Sequence, residues 1–138
     1  MKIFTAFALV GILLAFFAHP ILISIYFGKR KNLKIEELLA IFDNAGEGRK
    51  EIIQNALFLI SEAYRIPVGK LRPEDLLDGP ISTIDSWRLG QGGEKISAYF
   101  EKNSPATTCL QNRASLSDLV TLLVTVENLR SIKSGNAD

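Results

Sequence analysis

The sequence holds one cysteine, Cys109, and one histidine, His19, in 138 residues. A lone cysteine makes no intramolecular disulfide, and together with one histidine it makes no metal-ligating cluster. His19 lies inside an apolar run, so from Gly28 onward no histidine is available for acid–base catalysis. An excess of either charge is lacking as well. All 15 Asp and Glu lie beyond Phe27, with 15 of the 16 Lys and Arg, since only Lys2 precedes that point. A neutral remainder lacks the basic face expected of a nucleic-acid-binding domain, so no nucleic-acid partner is expected. Strand-like alternation, internal repeats and low-complexity tracts are also missing, and the apolar pattern that remains is helical.

The longest absence is of charge itself. Residues 3–27 contain no Asp, Glu, Lys or Arg. At a rise of about 1.5 Å per residue, a helix of that length exceeds the roughly 30 Å hydrocarbon core of a bilayer. A cleaved signal peptide would have an apolar stretch of about 7–15 residues and then a small-x-small site. The run Phe4–Phe17 would serve, but Phe16 stands where a small residue is wanted before Ala18. Apolar character then resumes through Ile21, Leu22, Ile23, Ile25, Tyr26 and Phe27, which favours a retained single-pass anchor. Pro20 is expected to kink it, as a membrane span tolerates. His19 reads as a polar spot facing a partner helix or the interface, the alternative being a proton-sensitive group. Beyond Phe27 the cluster Lys29, Arg30, Lys31, with Lys34, outweighs Lys2. The positive-inside rule therefore puts this flank and the soluble part in the cytoplasm. A reduced Cys109 agrees with that compartment.

The remainder reads as a short series of helices. Ile35, Leu38, Leu39, Ile41 and Phe42 form a short amphipathic segment closed by the loop signal Asn44-Ala45-Gly46-Glu47-Gly48. Ile52, Ile53, Ala56, Leu57, Ile60 and Tyr64 recur at helical spacing, so a helix is expected over Arg49–Arg65, stopped by Pro67 and Gly69. Pro73, Gly79 and Pro80 make Lys70–Ile84 a long ordered loop with a short turn at Pro73–Leu77. Asp85 or Ser86 reads as the N-cap of a helix running to about Lys102, with Trp87, Leu89, Ile96, Tyr99 and Phe100 as its apolar residues. Trp87 is expected to pack under that helix against the Ile52–Tyr64 stripe. Asn103-Ser104-Pro105 ends it. Ser115-Leu116-Ser117-Asp118 resembles a capping box with Asp in place of Glu, opening a last helix with Leu116, Leu119, Val120, Leu123 and Val126 on one stripe.

No isolated motif carries chemistry. The cluster Gly90-Gln91-Gly92-Gly93-Glu94-Lys95 lacks phosphate-loop spacing and no buried strand precedes it, so it reads as a flexible or close-packed helix start. Asp43-Asn44-Ala45-Gly46-Glu47 has its oxygens at the wrong offsets for a calcium loop and reads as a turn. Glu36-Glu37 and Glu74-Asp75 are adjacent pairs that do not face each other on a helix. Cys109 has no histidine to activate it and reads as a packed thiol.

The order of elements is more specific. The stretch Ile60–Val68 and the loop Leu71-Arg72-Pro73-Glu74-Asp75-Leu76-Leu77, then Asp85-Ser86-Trp87, then Ser115-Leu116-Ser117-Asp118-Leu119-Val120, resemble the acyl carrier protein (phosphopantetheine-attachment) family over roughly residues 49–132. That resemblance implies a helical bundle of acyl-carrier topology. It also implies a 4'-phosphopantetheine arm on Ser86, where a helix N-terminus would favour the phosphate charge. The chain differs from the family in Ile84 where Gly is usual, in Trp87 where Leu is usual, and in a second helix that is not acidic. Read from the residues alone, Asp85-Ser86 is a helix cap.

The expectation is an all-α chain: a transmembrane helix at 3–27, a basic juxtamembrane linker at 28–34, a cytoplasmic helical domain at 35–132 and a flexible tail at 133–138. It is expected to be no enzyme and to need no cofactor. Its function is read as a membrane-anchored interaction or adaptor domain with a protein partner. The alternatives are an acyl carrier using Ser86 and a small accessory subunit of a membrane complex.

Overall fold

The computed structural model describes residues 2–42, 50–103 and 115–135. Six α-helices run through them: α1 (Lys2–Phe27), α2 (Ile35–Phe42), α3 (Lys50–Tyr64), α4 (Ser82–Ser86), α5 (Gln91–Asn103) and α6 (Leu116–Gly135). Short helical turns lie at Val68–Lys70 and Leu77–Ile81. Among the described residues the only β-type pairing is an isolated antiparallel bridge between Leu76 and Ser115. The chain is all-α.

Helix α3 is the centre, packing against α2, α5 and α6. Its buried residues Ile53, Ala56, Leu57, Ile60 and Tyr64 follow the helical period that defines the stripe in the sequence. Facing them, α6 buries Leu116, Leu119, Val120, Leu123 and Val126, and α2 adds Leu38 and Leu39. Each fully buried aliphatic side chain of this kind contributes about 1.5–3 kcal/mol. Helix α3 ends where Arg65 turns left-handed, at φ 52°. Ile66 N–H then donates to Ser61 O at 3.1 Å, and Pro67 cannot continue the helix. The N-terminus of α6 is the expected capping box. The Ser115 N–H and hydroxyl both donate to Asp118 Oδ2 at 2.8 Å, and the Asp118 N–H donates back to Ser115 Oγ at 3.3 Å.

Helix α1 is continuous across Pro20. It is long and apolar enough to cross a membrane and lies near the N-terminus, where a signal sequence would also lie. It is exposed from Ile3 to Phe17, whereas its other end joins the domain. Leu22 and Ile23 pack against the core, and Phe27, at 1% exposure, is part of it.

Several expectations are corrected. The expected helix from Asp85 or Ser86 to Lys102 is two pieces, α4 and α5, joined by a turn at Trp87–Gly90. Pro80 reads in sequence as a breaker, yet after the non-helical Gly79 (φ −103°, ψ −123°) it stands at the head of a helical run through Ser86, a place proline favours. Trp87 is 52% exposed rather than packed beneath a helix, and Leu89 is 87% exposed. The linker at residues 28–34 is fastened to the domain: Leu33 N–H donates to Gly69 O at 3.0 Å and Arg72 Nη2 donates to Lys31 O at 2.7 Å. Helix α6 continues to Gly135, into the stretch expected as a tail. The loop signal at Asn44–Gly48, the Asp43–Glu47 turn, Ser104-Pro105 and Cys109 lie outside the described residues.

Candidate functional site

The residues singled out in the sequence converge on the turn between α4 and α5, beside α1. Asp85, next to last in α4, is 6% exposed and turns its carboxylate toward the start of α5. Its Oδ1 accepts the Gly92 N–H at 2.7 Å and its Oδ2 accepts the Gly93 N–H at 2.9 Å. The carboxylate therefore caps α5 from seven and eight residues upstream, satisfying N–H groups that a helix start leaves without partners. Gly92 is required by this closeness. A Cβ there would lie 2.5 Å from Tyr64 Cδ1 and 2.7 Å from Asp85 Oδ1. The glycine cluster is thus a close-packed helix start.

Ser86 does not open a helix. It is the last residue of α4, is exposed, and its hydroxyl donates to Ser82 O at 2.8 Å. Nearby N–H groups are engaged: those of Arg88 and Gly90 donate to Asp85 O, at 2.8 and 3.0 Å, and that of Leu89 donates to Ser86 O at 3.1 Å. The expected setting of Ser86, a helix N-terminus with free N–H groups, is corrected: the N-terminus that follows it, that of α5, is capped by Asp85.

Behind the turn, Tyr64 is buried against Asp85 and Gly92. Burial first, and the charge of Asp85 second, push its phenol up to about 12. Its carbonyl lies 3.3 Å from His19 Nε2, the contact that occupies the one histidine. Arg88 Nη1 donates to Ala63 O at 2.7 Å. A shallow cavity of about 190 Å³ remains between these groups and α1, lined by Ala15, Phe16, His19, Pro20, Arg65 and Arg88. Leu89 and Gly90 both turn left-handed, at φ 56° and 73°, and Trp87 and Leu89 in this turn are exposed.

The basic flank is tied down at two of its three residues. Arg30 makes a two-pronged ion pair with Asp75, Nη2 to Oδ1 at 2.7 Å and Nη1 to Oδ2 at 2.8 Å. Its guanidinium also lies 4.8 Å from the Phe27 ring centroid. Hydrogen bonding to Asp75 holds the Arg30 pKa above its ordinary value. Lys31 sits 3.4 Å from Glu37, and Lys29 is exposed. Asp75, read in sequence only as one of an adjacent acidic pair, is buried. It and Arg30 lie 45 positions apart, so no local pattern signals the pair.

A second cavity, of about 220 Å³, lies between α3, α5 and α6 and is lined in part by Asn55, Leu59, Tyr99 and Glu127. There the Tyr99 hydroxyl donates to Glu127 at 3.0 Å, and burial and that bond raise its pKa. Among the described residues no group of three or more His, Cys, Asp or Glu could hold a metal ion.

In comparisons with protein-family models, curated proteins and solved structures, the chain matches none.

Proposed function

We propose that the chain is a membrane-anchored interaction domain without catalysis, retained in the bilayer by α1 with its helical bundle in the cytoplasm. The observation that carries this reading is the joint between anchor and domain. Phe27, the last residue of α1, is a core residue, and Arg30 just beyond it is clamped to Asp75. A signal peptide is cut away from the mature chain, whereas here the end of the apolar helix is built into the fold. Three groups with chemical potential are engaged in structure: Asp85 as a cap, Ser86 on Ser82 O, His19 against Tyr64 O. The cluster Lys29–Lys31 supports a cytoplasmic bundle, because the rule counts Lys and Arg rather than net charge. The partner would be a protein, bound by the bundle. If it were held by the exposed face of α1 instead, the chain would be an accessory subunit of a membrane complex.

The test is membrane retention of the full chain after alkaline carbonate washing, together with a C-terminal reporter. Retention with a reporter active only in the cytoplasm is the expected result; release by carbonate, or activity outside, overturns the reading. Co-purification in mild detergent, repeated with α1 replaced by an unrelated span, separates a bundle-held partner from an α1-held one.

Exposure of Ser86 favours a second reading, an acyl carrier presenting a 4'-phosphopantetheine arm at the membrane. The Leu71–Leu77 loop, part of the stretch that carries the resemblance, docks on the start of α6, by Leu116 N–H to Asp75 O at 2.7 Å and Ser117 N–H to Pro73 O at 3.0 Å. Co-expression with a phosphopantetheinyl transferase decides between the two. An unmodified mass is expected for the interaction domain, and a phosphopantetheine adduct lost in Ser86→Ala for the carrier.

A further inference from the structure

The uncovered part of α1 is short for a bilayer. Every residue from Ile3 to Phe17 is exposed, so α1 is uncovered on all sides only that far. Beyond it Ala18, His19, Leu22, Ile23 and Phe27 are partly or wholly covered, while Pro20, Ile21, Ile25 and Tyr26 stay exposed. At about 1.5 Å per residue the uncovered stretch measures roughly 22 Å, against roughly 30 Å of hydrocarbon. With Ile3 at one boundary, the other falls near Ile23. Ala15–Pro20 then lie about 4–12 Å inside that boundary, so the part of the domain beside them reaches into the lipid rather than sitting above it.

What the domain carries there suits that depth. The cavity beside Ala15, Phe16, His19 and Pro20 is walled by Arg65 and Arg88. Arg88 lies in the turn that exposes Trp87 and Leu89, directly after α4, which itself contacts α1. Tryptophan belongs at the membrane interface, and arginine beside it reaches phosphate headgroups while its stem stays among apolar atoms. Leu89 is the more informative residue. It holds a left-handed conformation that glycine or asparagine would adopt without the cost a leucine bears, and it leaves its side chain almost wholly outside the protein.

We propose that Trp87 and Leu89, flanked by Arg65 and Arg88, form a membrane-contact surface that seats the domain at and just below the headgroup boundary of the bilayer that α1 spans. This rests on the anchoring reading and adds a second, lateral contact to it. The apolar pair enters the boundary between headgroups and acyl chains. Arg88 stays bonded to Ala63 O, and the exposed Arg65 reaches toward lipid phosphates, an attraction expected to strengthen with anionic lipid.

Trp87 is the only tryptophan, so its emission reports this surface without engineering. The full chain is reconstituted in phosphatidylcholine vesicles with and without phosphatidylglycerol, and vesicle flotation and carbonate washing are run on the same samples. Lipids brominated near the headgroup end of the acyl chain should quench most of the Trp87 emission, more strongly with phosphatidylglycerol present. Aqueous iodide should quench little. Leu89→Asn, which suits the left-handed backbone, should melt no lower than wild type yet lose much of the bromolipid quenching. Arg65→Gln should remove the phosphatidylglycerol dependence. A chain that floats and resists carbonate, but whose Trp87 is quenched by iodide and not by bromolipid, overturns this proposal alone. Protection from both quenchers, as beneath a bound protein, overturns it as well. Release by carbonate overturns the anchoring reading and this proposal together.

Discussion

Arg30 and Asp75 form a two-pronged ion pair that fastens the segment after α1 to the loop before α4, with the Asp75 side chain 4% exposed and Arg30 31% exposed. A planar guanidinium fits a carboxylate in this way, and an ammonium does not. Asp75 also accepts the Arg72 N–H at 2.9 Å, so one carboxylate gathers both sides of the joint.

Removing Arg30 leaves a buried carboxylate with one backbone donor. Arg30→Ala should therefore cost about 3–5 kcal/mol, the range for a buried pair broken on one side. Arg30→Lys should recover only part of this. Urea unfolding of the full chain in mild detergent, followed by circular dichroism, measures both. Equal stability of Arg30→Ala and wild type would make the pair incidental.

The residues Asp85 and Ser86 reverse the sensitivities that a simple cap motif suggests. Asp85→Ala removes two accepted N–H bonds, and that of Gly92 is buried. The lost cap costs about 0.5–2 kcal/mol, and a buried N–H left without acceptor adds about 1–3 kcal/mol. Asp85→Asn keeps one acceptor and should lie between. Ser86→Ala loses only a bond from an exposed hydroxyl to the carbonyl four residues back, a contact that stabilises helices little, so its change should stay within about 0.5 kcal/mol. Thermal melts of the three variants give the order directly.

This reversal marks the limit of what is legible in the sequence. The stripes Ile53–Tyr64 and Leu116–Val126 are readable because local periodicity alone chooses the buried face. The Ser115–Asp118 box is readable because its partners lie within one turn. The cap of α5 is not, because Asp85 acts over seven residues and through a turn whose left-handed Leu89 has no sequence signal. Trp87 is misread because an aromatic near a helix start looks the same whether it faces the core or the outside. Pro80 is misread because proline both stops and starts helices, and only Gly79 before it distinguishes the two. The Arg30–Asp75 joint depends on tertiary packing across 45 positions, beyond the reach of any local pattern.

Tyr64 should give the domain an alkaline limit. Its pKa, pushed up to about 12 from an ordinary value of 10, means that the folded state holds the phenol proton more tightly than the unfolded chain. That contribution is complete below pH 10 and falls away as the pH rises through the folded value. Its full size is of the order of 2–3 kcal/mol at about 1.36 kcal/mol per unit. Tyr64→Phe has no such proton, so the stability difference between wild type and variant should be flat from pH 7 to 10 and then shift in favour of the variant. Urea midpoints at a series of pH values test this. A difference that stays constant through pH 11.5 would mean that Tyr64 ionises in the folded state as it does unfolded.

The two glycines that open α5 should respond oppositely to the same substitution. Helix propensity favours alanine over glycine by about 0.8–1 kcal/mol in a helix interior, and both residues lie inside α5. At Gly93 the nearest atom to an added Cβ is Asp85 Oδ2 at 3.5 Å, an ordinary contact, so Gly93→Ala should raise stability by up to about 1 kcal/mol. At Gly92 the added carbon would meet the Tyr64 ring and the Asp85 carboxylate inside contact distance, and both are fixed in place. Relief would require the ring to tilt into the core or the carboxylate to leave its two N–H donors. Gly92→Ala should therefore lose about 1–3 kcal/mol to overpacking, more than propensity returns. Combining Gly92→Ala with Asp85→Ala should then cost less than the sum of the two single losses, because the clash and the cap share one carboxylate. Strict additivity in that double-mutant cycle would show that Gly92 and Asp85 do not act on each other.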